Sequence, residues 1–396
     1  MKNKKKKFEI ISNDVIKAFK FISKKKKLNL HEPYFSKDDI SQVKNCIQKT
    51  NVSTASPVTL KFEKEIKKYT KSKYTLAIVN GTSALHLAIA ALKIKKYEEI
   101  FIPSFNYVAS TNATLYCGAI PHYIDIELEN FGIDVNKLEN YISKKFKIKN
   151  NKLINKDSKR AIRAIIITHV FGVPGNIDYI KRFCAKYKLK IIEDAAEAFG
   201  SFYKKKHLGT FGDFGILSFN GNKIITTGGG GAILTQKKSL YLKVLKLATI
   251  AKKKNFLWKY DYDEMGYNYR LPGINSSLGI SQIKKIKKLL KNKKKVHLLM
   301  KNFFKSNTNF KLINPKNIQY SNIWLNNIFL FNSTYDLRDN VVKFLNKKGI
   351  HVRPAWTLMH KINYLSKFPK MDLSNSLLVE KSLVSLPSSP NLIKDE

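Results

Sequence analysis

Short branched apolar runs alternating with amphipathic segments predict an α/β fold, a mostly parallel sheet with helices on both faces. Residues 164–168 and 190–193 are compact, isoleucine-rich runs, as strands buried on both faces are. Segments of helical period, such as residues 82–93, separate runs of this kind. At 396 residues the chain is long enough for two domains, and helices dominate the pattern past about residue 240.

In chain order, residues 1–30 form a basic extension. Lys4 to Lys7 and Lys24 to Lys27 flank apolar positions Phe8, Ile11, Val15, Ile16, Phe19 and Ile22 at helical spacing. That spacing predicts a helix packed on the body or on a partner subunit, with an anionic membrane face as the alternative. Residues 62–69 read as helix, 74–80 as strand and 82–93 as a helix rich in Ala and Leu. A strand at 100–103, a helix at 109–117 and a strand at 120–126 follow. The lysine-rich residues 143–159 break the rhythm and are expected to form a surface loop. The strand 164–168, the helix 177–187 and the strand 190–193 restore it. Beyond residue 240 come helices 240–251 and 276–295, the charged run 284–295 being read as the wet face of the second. Residues 328–331 and 351–353 read as strands of a smaller unit. The expected organisation is an extension (1–30), a large domain (31–245) and a small C-terminal domain (246–396).

Composition bounds the function. The 73 Lys+Arg against 29 Asp+Glu give a net charge of +44. Lysine is spread along the whole chain, as AT-rich coding would produce, and is not gathered beside an aromatic nucleic-acid-reading motif. The charge is therefore read as a compositional bias, with no specific nucleic-acid partner expected and a weak affinity for polyanions following from it. No apolar run reaches the ~20 residues needed to span a bilayer, so stable membrane insertion is not expected. The basic N-terminus has its apolar residues broken by charge and does not read as a signal peptide. Cys46, Cys117 and Cys184 are odd in number, far apart and without metal spacing, which points to a reduced, cytoplasmic setting.

Chemistry concentrates at Ser218-Phe219-Asn220-Gly221-Asn222-Lys223, followed by Ile224-Ile225-Thr226-Thr227 and four glycines. This isolates one lysine in an apolar, glycine-flanked turn. A nucleophilic lysine must be uncharged part of the time, and apolar surroundings favour that state. Asp194 ends an apolar run upstream. A lysine with a carboxylate on a strand end suits pyridoxal 5′-phosphate (PLP): the amine holds the aldehyde and the acid keeps the ring nitrogen protonated. Gly81-Thr82-Ser83 lies between a strand and a helix, where backbone N–H groups and two hydroxyls make either a phosphate site or an ordinary cap. His169 ends a strand and is read as a satisfied core histidine. His86 and His207 have no evident partner.

The segments Gly81-Thr82-Ser83-Ala84-Leu85-His86, Glu193-Asp194-Ala195-Ala196-Glu197, Ser218 to Gly231 and Gly266-Tyr267-Asn268-Tyr269-Arg270 occur in order. Together they resemble the sugar-nucleotide aminotransferases, the DegT-like family of fold type I PLP enzymes, over roughly residues 30–390. The resemblance implies an aspartate-aminotransferase-like fold with a mostly parallel seven-stranded sheet. It implies that Lys223 holds the cofactor, that Asp194 pairs with its ring nitrogen and that Glu197 contacts the ring. By the same resemblance Thr82, Ser83 and Ser218 bind the phosphate, Tyr107 stacks on the ring, and Asn268 reaches the phosphate of a neighbouring subunit. The last role makes a homodimer with shared active sites the functional unit. Lysine at 223, where some members carry histidine and dehydrate, implies transamination. The donor implied is glutamate, and the acceptor a UDP-linked 2-acetamido-4-keto-6-deoxy hexose aminated at C4 for surface-polysaccharide or nonulosonic-acid synthesis. A GDP-linked sugar of the perosamine type is the alternative. Leu30-His31-Glu32-Pro33 matches the usual start of the family core, whereas Asn51 departs from a tryptophan usual before Val52-Ser53. A reading of another class is a non-enzymatic polyanion-binding protein that kept the fold.

Overall fold

The computed structural model describes residues 2–253, 260–316 and 318–393. The basic extension is mostly helix, α1 (Lys2–Ile22), followed by α2 (Lys37–Gln48) and α3 (Pro57–Thr70). Ser36 and Asp39 close a capping box at the start of α2, and Pro57 opens α3 behind the Ser56 cap. Strand and helix then alternate through β1 (Tyr74–Ile78), α4 (Gly81–Ala91), β2 (Glu99–Pro103), α5 (Ala109–Tyr116), β3 (Ile120–Ile124) and α6 (Val135–Lys145). A hairpin, β4 (Phe146–Lys149) and β5 (Lys152–Asn155), precedes β6 (Ala161–Thr168), α7 (Ile177–Lys186) and β7 (Lys190–Asp194). A two-rung hairpin, β8 (Phe202–Tyr203) and β9 (Lys206–His207), leads to β10 (Phe214–Ser218), β11 (Gly231–Thr235) and α8 (Lys238–Ala248). Then come α9 (Gly273–Lys284), α10 (Ile286–Phe303), β12 (Phe310–Leu312), β13 (Asn326–Leu330), α11 (Tyr335–Lys347), β14 (Arg353–Pro354), α12 (Ser374–Ser382) and β15 (Leu383–Leu386).

The main path of the large sheet has seven strands in the order β1-β11-β10-β7-β6-β2-β3. β10, β7, β6, β2 and β3 run parallel, and β11 runs against both of its neighbours. The C-terminal ends of β2, β6, β7 and β10 therefore share one edge, where ligands bind in open α/β sheets. Ile102, Ile166, Ile192 and Ile216 are fully buried between the helical layers. The second sheet, β12-β13-β15-β14, is wholly antiparallel. On it α1 packs Ile11, Val15, Ala18, Phe19 and Ile22 against Val296 and Met300 of α10 and Val341 and Leu345 of α11. The apolar stripe of the extension is thus spent on the chain's own core.

Three expectations need correction. Residues 143–159 are not a loop: they end α6 and form the β4–β5 hairpin, and β5 pairs with Ala161 and Ile162 of β6. Phe146 and Leu153 alternate with lysines and are buried, while Asn150 and Asn151 turn the chain at φ of 48° and 58°. Two-residue hairpin loops use such left-handed pairs. The helix expected at 276–295 is two helices parted at Lys285 (φ −92°, ψ −6°), whose amine binds Asp39 on α2. Asp39 also accepts from the Ser281 hydroxyl and the Gln282 amide, which fastens α9 to α2 before the chain turns toward the small sheet. Finally, the charged run 284–295 is not uniformly wet. Lys293 is 1% exposed, and its amine donates to the carbonyl oxygens of Trp324 and Ser388.

Candidate active site

Asp194 is the last residue of β7, and it faces the shared edge of the sheet. Its Oδ2 accepts from Ser110 Oγ at 2.7 Å and its Oδ1 from the Ala196 N–H at 3.2 Å. Burial pushes its carboxyl above the usual range, while Ser110, the Ala196 N–H and the charge of Lys223 oppose that rise. Thr168, its register partner at the end of β6, has a buried hydroxyl with no partner among the described residues.

Lys223 follows β10 in the turn to β11, and its side chain is 14% exposed. The amine lies 3.6 Å from Glu197 Oε1 and 3.9 Å from the centroid of a Trp324 ring. The indole is held in place, because its Nε1 donates to the Asn222 carbonyl at 2.7 Å. Glu197 Oε2 accepts from the Phe171 N–H at 2.8 Å. Burial pushes the Glu197 carboxyl up to about 7, against the pull of Lys223 and the Phe171 N–H. Lys223, Glu197 and Asp194 therefore form one electrostatic cluster.

Thr82 and Ser83 open α4 behind the Asn80 cap, whose Oδ1 accepts from Ser83 N at 2.7 Å. Ala84 N is taken by the Asn80 carbonyl. Gly81 and Thr82 contribute the first N–H groups of the helix, which have no partner within it. Two glycines let the strands approach this turn. A Cβ on Gly231 would lie 2.7 Å from the Asn80 carbonyl carbon, and one on Gly81 would meet Ser218 Cβ at 3.3 Å. Ser218 thus sits against the start of α4, and the three residues expected at a phosphate come together. Tyr107, on the loop after β2, is 57% exposed beside Asn106, whose buried Nδ2 has no partner among the described residues.

Asn268 is not part of this cluster in its own chain. It is exposed on an extended segment bridged to Thr249, without a side-chain hydrogen bond to the others. Glu193 is structural: it accepts from the N–H groups of Gly209, Phe211 and Gly212 and from His169 Nε2 at 3.1 Å. His169 is therefore a satisfied core histidine. His207 accepts from Gly200 N at 3.0 Å, and His86 packs edge-on against Tyr267. Sequence reasoning missed Ser110 and Trp324. Ser110 is one hydroxyl inside a helix, and Trp324 lies about a hundred residues past Lys223, so neither carries a local signal.

The donor set fits PLP: an amine, a buried carboxylate at a strand end, a helix N-terminus with three hydroxyls, and unpartnered polar atoms on Thr168 and Asn106. Among the described residues no group of histidine, cysteine or acid side chains is arranged to hold a metal ion. No described helix is long and apolar enough to cross a membrane.

Residues 33–396 match the model of the DegT/DnrJ/EryC1/StrS aminotransferase family. The chain is 30% identical to a GDP-perosamine synthase of Vibrio cholerae over 93% of its length and 95% of the relative's. It is 31% identical to a UDP-4-amino-4,6-dideoxy-N-acetyl-beta-L-altrosamine transaminase of Campylobacter jejuni, covering 86% of each chain. Its fold superposes on that of Helicobacter pylori PseC, an aminotransferase of pseudoaminic acid biosynthesis, with a TM-score of 0.83 at 24% identity, covering 92% and 95% of the two chains. The architecture is the type I fold of PLP-dependent aminotransferases. The chain belongs to the DegT/DnrJ/EryC1/StrS family of sugar-nucleotide aminotransferases, and its cofactor is PLP.

Proposed function

We propose that this family member moves the amino group of glutamate to C4 of a nucleotide-linked 4-keto-6-deoxy sugar. We take a UDP-linked 2-acetamido hexose as first choice, for surface-polysaccharide or nonulosonic-acid sugars. The observation that carries the reading is the Lys223 amine beside Glu197 and within the field of Asp194, at the edge where the parallel strands end. Bound PLP supplies an aldehyde and an electron sink. In this reading Lys223 holds the cofactor, then moves a proton at Cα of the donor and at C4 of the sugar. Asp194, steadied by Ser110, keeps the ring nitrogen protonated, and Glu197 contacts the ring. Thr82, Ser83 and Ser218 bind the phosphate, and Tyr107, free of the core, covers the ring. Asn268 serves the site of a second copy, which its outward position supports. The working unit is then a cytoplasmic homodimer, each chain with a large part over 31–245 and a smaller part over 246–396.

A GDP-linked acceptor is the second reading. The Vibrio cholerae relative, named for a GDP sugar, matches more of the chain than the Campylobacter jejuni relative named for a UDP sugar. Incubation with glutamate and UDP-, GDP- and dTDP-linked 4-keto sugars, with products weighed by mass spectrometry, decides between them. Lys223→Ala should abolish turnover and the visible absorbance of lysine-linked cofactor. Turnover retained by that variant rejects the assignment.

A further inference from the structure

Among the described residues, His31 is the histidine with both ring nitrogens buried and without a partner. It is only 9% exposed. An unsatisfied buried polar group costs roughly 1–3 kcal/mol, so a fold that keeps one is open to a ligand there. The segment carrying it is clamped. The Leu30 carbonyl accepts from Ser388 N at 2.7 Å, and Glu32 N donates to Ser389 Oγ at 2.8 Å. Ser388 in turn accepts from the buried amine of Lys293, which also donates to the Trp324 carbonyl at 3.0 Å. Trp324 lies against Lys223. A continuous set of contacts therefore runs from the segment carrying His31 to the reactive amine, and Lys293 and Lys223 both act electrostatically on His31.

The surroundings also fix what His31 can bind. Burial first, then the two amines, hold it well below the usual histidine range, so it stays neutral near pH 7. A neutral imidazole offers one donor and one acceptor. A carboxylate only accepts and would leave one nitrogen facing a like partner. Sugar hydroxyls both donate and accept, so one can serve either nitrogen and two neighbouring ones can serve both.

On the transaminase reading above, we propose that His31 is a substrate-binding residue that reads a hydroxyl of the keto sugar, not the carboxylates of the amino donor. Ping-pong transfer separates the two half-reactions, so the test is selective. The holoenzyme carrying His31→Phe is titrated with glutamate, following loss of the cofactor's visible band, and then with the keto sugar that the wild type accepts. Its kcat/KM for the sugar should fall roughly tenfold while the glutamate half-reaction stays within about twofold of wild type. His31→Gln, which keeps a donor and an acceptor, should recover most of the loss. If His31→Phe does not fold, His31→Leu, which likewise has neither donor nor acceptor, takes its place, with the same selective loss expected. Wild-type behaviour with the sugar would make His31 a core residue and overturn the proposal. An equal loss in both half-reactions, or a loss confined to glutamate, would overturn it as well. A wild type that accepts glutamate but no sugar of the panel removes the substrate reading itself, and this proposal with it.

Discussion

At the scale of single residues, Glu197 carries a titration consequence near neutral pH. Its carboxyl, usual value 4.5, is pushed up to about 7, chiefly by burial. Between those values the folded chain holds a proton that the unfolded chain has lost. Folding is then favoured on the acid side of this window, and the stabilisation is lost as pH rises through about 7. Glu197→Gln cannot ionise, so above pH 7 the cofactor-free variant should be the more stable, by at most ~3 kcal/mol. Below about pH 5 the two should converge. Denaturant melts of both proteins at pH 5 and pH 8 check this. A variant that is less stable at pH 8 would mean that the contact with Lys223, 3.6 Å away, outweighs the cost of burying the charge. The neighbouring carboxylate shows a different solution: Asp194 is just as hidden but receives a hydroxyl and a backbone N–H, so two donors offset part of its burial.

At the scale of elements, the β4–β5 hairpin depends on two left-handed residues, Asn150 and Asn151. Asparagine tolerates that conformation and a β-branched residue does not. Asn151→Val should lower stability by roughly 1–2 kcal/mol in chemical denaturation without touching activity. An unchanged midpoint would show that the turn has another conformation in solution. The hairpin also shows where the sequence was opaque. Its alternation of Phe146 and Ile148 with lysine was visible, but in a chain this rich in lysine a charged run reads as solvent-facing by default. The same bias hid Lys293, because burial of one lysine among neighbours of identical composition is decided by Trp324 and Ser388, far away in sequence. The break at Lys285 was hidden for a related reason: apolar periodicity continues across it, and only the tertiary partner Asp39 separates α9 from α10. The parallel strands were legible because their signal is local, a few branched residues bounded by turns. Lys223 and Asp194 stand out as candidates for the same reason, each set against an apolar stretch, and their proposed roles come from the family resemblance. Ser110 and Trp324 acquire meaning only when the sheet brings β7 and β10 beside them.

At the scale of the whole molecule, two features pull in opposite directions. The charge of +44 opposes compaction and attracts polyanions. Against this, α1 spends its apolar stripe on the core of the small sheet, so this basic segment is tied into the fold instead of trailing as a binding arm. Assembly is where the site reading is most exposed. Thr82, Ser83, Ser218, Lys223 and Asp194 gather in one chain, whereas Asn268 is exposed and has no side-chain hydrogen bond to them. If Asn268 completes the site of a second copy, two inactive variants can repair one another. Lys223→Ala lacks the amine but supplies Asn268, and Asn268→Ala lacks the contact but supplies the amine. A mixed dimer then holds one intact site of two. Random exchange at equal concentrations makes half the dimers mixed, so about a quarter of wild-type activity should return. The measurement is turnover after co-refolding the two proteins, each assayed alone as a control. Activity no higher than the average of the two controls would place Asn268 outside the neighbour's site, and each active site would then be complete within one chain.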